Sequence, residues 1–112
     1  NQTSAILKAP YGVYARSQTA RDLMRDACLE VVQVAQKAGI ALVEADIDTC
    51  YTILANLSAD KKTSMLQDVE ACRKTEVEAF SGTVIRLGQE YGVQTPVNQV
   101  LNQMIRVIEE NY

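Results

Sequence analysis

The sequence contains no histidine and no tryptophan, one phenylalanine and two prolines, and each scarcity removes a class of chemistry or structure. Without histidine there is no imidazole to act as acid, base or metal ligand near neutral pH. The three cysteines, Cys28, Cys50 and Cys72, form no C-x-x-C pair, so the usual zinc spacings are missing and no metal site is expected. They read as reduced thiols, and Cys72, beside Arg73 and Lys74, reads as a buried helical thiol. The five glycines, at positions 12, 39, 82, 88 and 92, are too scattered for a G-x-G-x-x-G loop, so any nucleotide must find its main site elsewhere. Basic residues are also few: 11 Lys and Arg face 14 Asp and Glu, the net charge is −3, and the adjacent basic pairs are two, Lys61-Lys62 and Arg73-Lys74. That charge pattern argues against nucleic-acid binding. Apolar runs such as Ile40-Ala41-Leu42-Val43 are too short for a membrane span or a signal peptide, and a cytoplasmic protein is expected.

What remains is the composition of an ordinary folded module, 47% apolar and 22% charged, and 112 residues suit a single domain. The first residue, Asn1, is not a methionine, which fits a piece cut from a longer protein or a processed chain.

The periodicity is helical throughout. Asn1 to Leu7 reads as the tail of a helix stopped before Ala9-Pro10, because the residue preceding a proline avoids the α region. Tyr11-Gly12 then reads as a turn. Leu23, Ala27, Val31 and Val34 form an amphipathic stripe over residues 19–38, closed by Gly39. Ile47, Tyr51 and Leu54 mark a helix over residues 44–57, and Met65 to Cys72 a short one. Val77, Phe80, Val84, Leu87 and Tyr91 mark the next helix, ended by Gly92. Thr95-Pro96 opens the last as N-cap and N1, with Val97, Val100, Leu101, Met104, Ile105 and Ile108 as its apolar stripe. No period-two strand occurs. The expected class is all-α with about five helices, the Met and aromatic positions forming core.

The stretch from Thr63 to Gly82 gathers the polar signals. Ser64-Met65-Leu66-Gln67 and Thr75-Glu76-Val77-Glu78 both read as capping boxes, a hydroxyl residue with Gln or Glu three positions on. Two helix starts close together concentrate free N–H groups and the positive ends of two dipoles. Two plain caps and a site for a small polar molecule both satisfy that pattern.

Ser64-Met65-Leu66-Gln67-Asp68, then Arg73, Thr75-Glu76-Val77, Gly82 and Thr95-Pro96-Val97-Asn98 stand in an order that resembles the C-terminal domain of ketopantoate reductase (2-dehydropantoate 2-reductase), a helical domain of the 6-phosphogluconate dehydrogenase C-terminal-like type. The resemblance implies that residues 1–112 are the substrate-side domain of an enzyme whose N-terminal Rossmann domain, absent from this chain, binds NADP. It implies an NADPH-dependent reduction of ketopantoate to pantoate, in pantothenate and coenzyme A biosynthesis, with the 2-oxo acid held between the domains. On the same resemblance, Ser64 matches a substrate-binding serine. Asn1, followed by Ser4-Ala5, Pro10 and Gly12, matches a substrate-binding asparagine. Glu76 matches an acid that supports catalysis and lies beside the nicotinamide and a proton-donating lysine, itself expected upstream of Asn1, so Lys8 is not promoted to that role.

Three positions depart from the pattern: Tyr11 stands where many members carry a second substrate-binding asparagine, Thr63 replaces a serine and Ser81 replaces an asparagine. Tyr11 leaves room for another branched 2-oxo acid. Arg73, Asp68 and Asn98 also match, but helix-end pairing and inter-helix hydrogen bonds explain them equally well. A homodimer through the helical domain fits the resemblance, and a non-catalytic helical interaction module is the competing class. The isolated fragment is expected to fold without reductase activity.

Overall fold

Local signals set most of the helix boundaries in the computed structural model, which describes residues 1–112. Helix α1, Gln2–Leu7, closes on Lys8 in the left-handed region (φ 53°), and Pro10 prevents its continuation. Helix α2, Tyr11–Arg16, begins directly after Pro10, so the expected turn at Tyr11-Gly12 is instead the first turn of a helix. The reason is tertiary: the N–H groups of Tyr11 and Gly12 donate to the carbonyls of Lys61 and Ala59, each at 2.9 Å, satisfying two donors that a helix start leaves free. Ser17 ends α2 and caps α3, its hydroxyl accepting from the Ala20 N–H at 3.1 Å.

Helix α3, Gln18–Lys37, ends at Gly39 with φ 79°, as the sequence predicts. Helix α4 spans Ala45–Ala55 and α5 spans Ser64–Glu70. A π-turn, Glu78–Gly82, runs without a break into α6, Thr83–Tyr91, which stops at Gly92 (φ 72°), and α7, Pro96–Glu110, starts with proline at N1. The protein is all-α, with five α-helices of seven residues or more and two shorter ones at the front. No helix is long and apolar enough to cross a membrane.

The helices form a slab 36 × 33 × 19 Å. Helix α1 lies against α5 and α7, where Ala5, Met65, Val69, Val77 and Ile105 make the main core cluster, with Ile6 and Ile108 packed at its edge. Met65 and Ile105 are almost fully enclosed, so truncating either to alanine should cost about 2–5 kcal/mol. A second cluster, Ala9, Tyr14 and Ala20, fixes α2 on the start of α3. Helix α3 is the spine, touching α1, α2, α4, α6 and α7.

The inward faces of α3 and α7 are more polar than the apolar stripes suggest. In α7 the buried residues are Asn98, Leu101, Asn102 and Ile105, whereas Val100 and Met104 are 52% and 44% exposed. In α3, Leu23, Ala27 and Val31 are only half-buried, while Ala20, Glu30, Val32, Val34 and Ala35 are buried. One carboxylate explains both shifts. Glu30 reaches the start of α7, accepting from the N–H groups of Val97 and Asn98 at 2.9 Å each and from Asn98 Nδ2 at 2.8 Å. It therefore does the capping that the Thr95 side chain, buried but making no cap bond, does not. Asn98 Nδ2 also donates to the Ala27 carbonyl, and Asn102 Nδ2 donates to Ser81 Oγ at 3.1 Å, which ties α7 to the π-turn. Phe80, Tyr91 and Tyr112 are exposed rather than core, because the π-turn and the helix ends turn them outward.

Candidate functional site

Two adjacent hydroxyls at the head of α5 have separate tasks. Thr63, with extended backbone (φ −65°, ψ 158°), is the N-cap: its Oγ1 accepts from the Leu66 N–H at 3.2 Å. Ser4 Oγ spends its single proton on the Asn1 carbonyl at 2.7 Å, so in the Thr63–Ser4 contact the threonine donates. Thr63 is buried with both of its capacities used. Ser64 is therefore not the cap that the capping-box reading expects. It stands at N1, exposed, with nothing in its own helix to satisfy, and its Oγ donates to Asn1 Oδ1 at 3.4 Å. That bond is long, and a better acceptor can replace it. The structure thus brings Ser64 and Asn1 together at the meeting point of α5 and α1.

Thr75 ties down the second polar start: its hydroxyl donates to Glu109 Oε1 at 2.7 Å and accepts from the Val77 N–H at 3.3 Å. Glu76, next in the chain, is exposed, and its carboxylate makes no hydrogen bond or salt bridge within the protein. Its carbonyl takes the N–H groups of Ala79 and Phe80, and the Gly82 N–H reaches back to Val77 O at 3.1 Å, the longer bond that defines the π-turn. No hydrogen bond links Glu76 to Asn1 or Ser64. Their chain neighbours Val77 and Met65 nevertheless share one apolar cluster with Ala5 of α1, so all three polar residues ride on elements locked together.

The segment leading to Ser64 is held just as closely. A Cβ at Gly12 would lie 2.9 Å from Ala59 Cβ and 3.0 Å from its carbonyl oxygen, so only glycine lets α2 approach this loop so nearly. Below it Tyr14 shares a hydrogen bond of 2.6 Å with Thr3 Oγ1, and burial pushes the Tyr14 phenol above its ordinary pKa.

The remaining matched residues have structural partners. Arg73 Nε sits 3.0 Å from Asp68 Oδ1, an exposed pair at the end of α5 worth about 0–1 kcal/mol, and Asn98 is spent on Glu30 and Ala27. Cys72 is exposed and left-handed (φ 54°), not a buried helical thiol. The Arg73 N–H bonds to Asp68 O at 2.8 Å, a closure that requires the residue between helix and loop to take a positive φ.

The family model described as "Ketopantoate reductase PanE/ApbA C terminal" matches residues 1–109. The chain belongs to the ketopantoate reductase C-terminal family. The 2-dehydropantoate 2-reductase of Pyrobaculum aerophilum is 34% identical over 109 residues, which are 97% of this chain and 39% of that relative. The chain accordingly spans well under half of the length of this curated relative. Among solved structures, the dimeric ketopantoate reductase from Staphylococcus aureus superposes with a TM-score of 0.89 at 26% identity, covering 98% of this chain and 38% of that one. A D-mandelate dehydrogenase in a ternary structure with NADH and anilino(oxo)acetate gives 0.90 at 25% identity, covering 99% and 47%. In the ketopantoate reductase C-terminal fold as this chain presents it, the exposed polar groups left unspent by folding include Ser64, Asn1 and Glu76, whereas Thr63, Thr75, Asn98 and Glu30 are consumed in holding the helices.

Proposed function

We propose that the intact protein is an NADPH-dependent 2-dehydropantoate 2-reductase, reducing ketopantoate to pantoate for pantothenate and coenzyme A biosynthesis in the cytoplasm, and that residues 1–112 are its substrate-side domain. An N-terminal Rossmann domain completes it. The observation that carries this reading is the freed pair Ser64 and Asn1: Thr63 takes over the capping, which leaves a hydroxyl and a carboxamide converging at 3.4 Å on an exposed edge. Between them they offer an O–H and an N–H₂ as donors, the groups needed to orient the carboxylate or hydroxyl oxygens of a 2-oxo acid.

NADPH, when bound, supplies the hydride for the keto carbon. The residues of this chain fit a contact with it in one respect: Glu76 keeps an exposed, unpaired carboxylate able to accept from an amide N–H or an ammonium. Its role is to hold the proton-donating lysine, which on the family resemblance precedes Asn1, charged and oriented toward the oxygen that gains negative charge. Ser64 and Asn1 fix the substrate so that this oxygen and that proton meet.

A second reading, reduction of another branched or aromatic 2-oxo acid, is favoured by Tyr11 at a position where many family members carry asparagine, and by the likeness to a D-mandelate dehydrogenase described with anilino(oxo)acetate. That neighbour is described with NADH, so both cofactors belong in the assay. Assembly as a homodimer accords with the Staphylococcus aureus relative, which is described as dimeric. The test follows nicotinamide oxidation by the intact protein with 2-dehydropantoate, and by the 112-residue chain as a control. The intact protein should turn over and the fragment should not. Absence of oxidation with every 2-oxo acid would defeat the reductase reading, and turnover by the fragment alone would defeat the two-domain reading.

A further inference from the structure

Helix α7 carries apolar side chains on two faces. Its inner face, Leu101 and Ile105 with Asn98 and Asn102, is buried in the slab. Its outer face repeats Val97, Val100, Met104 and Val107 at intervals of three, four and three residues, the spacing of a coiled-coil seam. Val97 is half-buried, but Val100, Met104 and Val107 stay exposed, the last by 56%. A surface helix turns polar residues to solvent on that side, and a helix that is apolar on both sides is one covered on both sides.

Beside this ridge a groove of about 370 Å³ runs between α1, α3 and α7, lined by Ile6, Leu7, Leu23, Pro96, Val97 and Val100. Thr3, also in its wall, has its hydroxyl paired with Tyr14, so the groove presents an apolar surface. Ridge and groove share one face of the molecule, which suits an isologous contact, in which the same patch serves both partners. Two α7 helices laid antiparallel, crossing near Met104, set Val107 of each copy over Val100 of the other. Charge does not oppose this pairing. The residues flanking the middle of the ridge are Gln99 and Gln103, uncharged amides, and Arg106 is drawn aside to Glu78 at 3.7 Å. The N-terminal domain proposed above has a different place. It joins ahead of Asn1 and shares the substrate with Ser64, on the α5 side of α1, where Ala5 packs with Met65 and Val69. Thr3 and Leu7, each two residues from Ala5, stand nearly opposite it on α1 and leave the groove facing away from that side.

We infer that the outer face of α7, with the groove beside it, is the surface through which a second copy of this chain docks. The inference gives a surface to the homodimer of the proposed function and does not depend on the reaction assigned there. In the intact protein, sedimentation velocity at micromolar concentration should show a dimer. Val100→Glu and Met104→Glu each bring two carboxylates, one from each copy, into the seam, and each should raise the dimer dissociation constant about 30-fold or more. Both side chains point outward, so circular dichroism should be unchanged. A dimer that survives both substitutions overturns the inference, and so does a wild-type protein that sediments as a monomer. A monomer whose Tm falls in Met104→Glu assigns this face to its own N-terminal domain instead. If neither variant folds, Met104→Cys decides: a short bis-maleimide should join two copies across the axis to a greater extent than it joins wild type through its native cysteines, and equal yields overturn the inference. Nicotinamide oxidation by the same samples keeps the two readings apart. A dimer without reductase activity defeats the proposed reaction and leaves this interface standing, whereas an active monomer does the reverse.

Discussion

Thr63 and Ser64 are chemically alike and adjacent, yet the structure assigns them opposite consequences. Thr63→Val keeps the volume and the β-branch but removes the hydroxyl. The Leu66 N–H, buried at the head of α5, then loses its acceptor, and the Ser4 hydroxyl loses the proton it received from Thr63 while keeping its own bond to Asn1 O. A lost cap costs about 0.5–2 kcal/mol and an unpaired buried donor about 1–3 kcal/mol, and since these overlap, a total of about 2 kcal/mol is expected. For a domain of this size that is a fall in Tm of roughly 8 °C. Ser64→Ala removes an exposed hydroxyl whose one bond is long, and alanine is the better helix former, so stability should change by no more than about 0.5 kcal/mol. In the intact enzyme the order reverses. Losing one substrate hydrogen bond of about 1–3 kcal/mol raises KM by roughly 5- to 150-fold in Ser64→Ala. Urea unfolding followed by circular dichroism, alongside steady-state kinetics, measures both halves. A Ser64→Ala protein with a clearly lowered Tm and unchanged KM would refute the reasoning, because it would make Ser64 the cap and leave the site without its serine.

Glu76→Gln in the intact enzyme should lower kcat on the order of 10²-fold with little change in Tm, since the carboxylate has no partner in the fold; wild-type kcat/KM would reduce it to a surface charge. Glu30→Ala should cost about 3–5 kcal/mol in urea unfolding, because it strands the N–H groups of Val97 and Asn98 at the buried head of α7, and a cost under about 1 kcal/mol would show that water replaces the carboxylate. Burial raises the Tyr14 phenol above its unfolded value near 10, so its neutral form stabilises the fold at lower pH, and that contribution is lost as pH rises past 10 through the folded value. The Tm of Tyr14→Phe should therefore fall less steeply than wild type between pH 9 and 11, and parallel slopes would count against it.

Most of the architecture was legible in the sequence because it is written in local signals. Gly39, Gly92 and Pro96 end or start helices where their φ preferences require, and Ile47, Tyr51 and Leu54 do lie along the inner side of α4. What escaped depends on partners distant in the chain. Thr63 and Ser64 both suit a capping position one register apart, and the Gln67 signal favours Ser64. The contact with Ser4, 59 residues away, decides for Thr63. Glu30 sits in the run Leu29-Glu30-Val31-Val32 and reads as an outward charge until the head of α7 is placed beside it. Tyr11 reads as a turn residue because nothing local announces that the 58–62 loop will supply its acceptors. As for the site, Asn1 and Ser64 enter as candidates through the family resemblance and not through periodicity, and their contact across 63 residues is visible only in the fold. The outward set of Glu76 was not readable either, since it follows from its two neighbours being anchored, Thr75 on Glu109, 34 residues away, and Val77 in the core.

The π-turn has a consequence for how chains of this kind tolerate insertion and deletion. Residues 78–82 carry one amino acid more than an α-helical ladder needs, and each residue added to or removed from a helix rotates the remaining turns by about 100°. Deleting one residue here lets the helix close normally, but it changes the phase between Val77 and α6, so that either the Val77 anchor or the face α6 turns to α3 must leave its place. The bond from Asn102 of α7 to Ser81 ties one of these five residues to the last helix and holds the present phase. A one-residue gap at this point in an alignment of relatives would therefore not be a neutral length difference: it would mark a chain in which the acid equivalent to Glu76 and the helix behind it face in directions different from those seen in this protein.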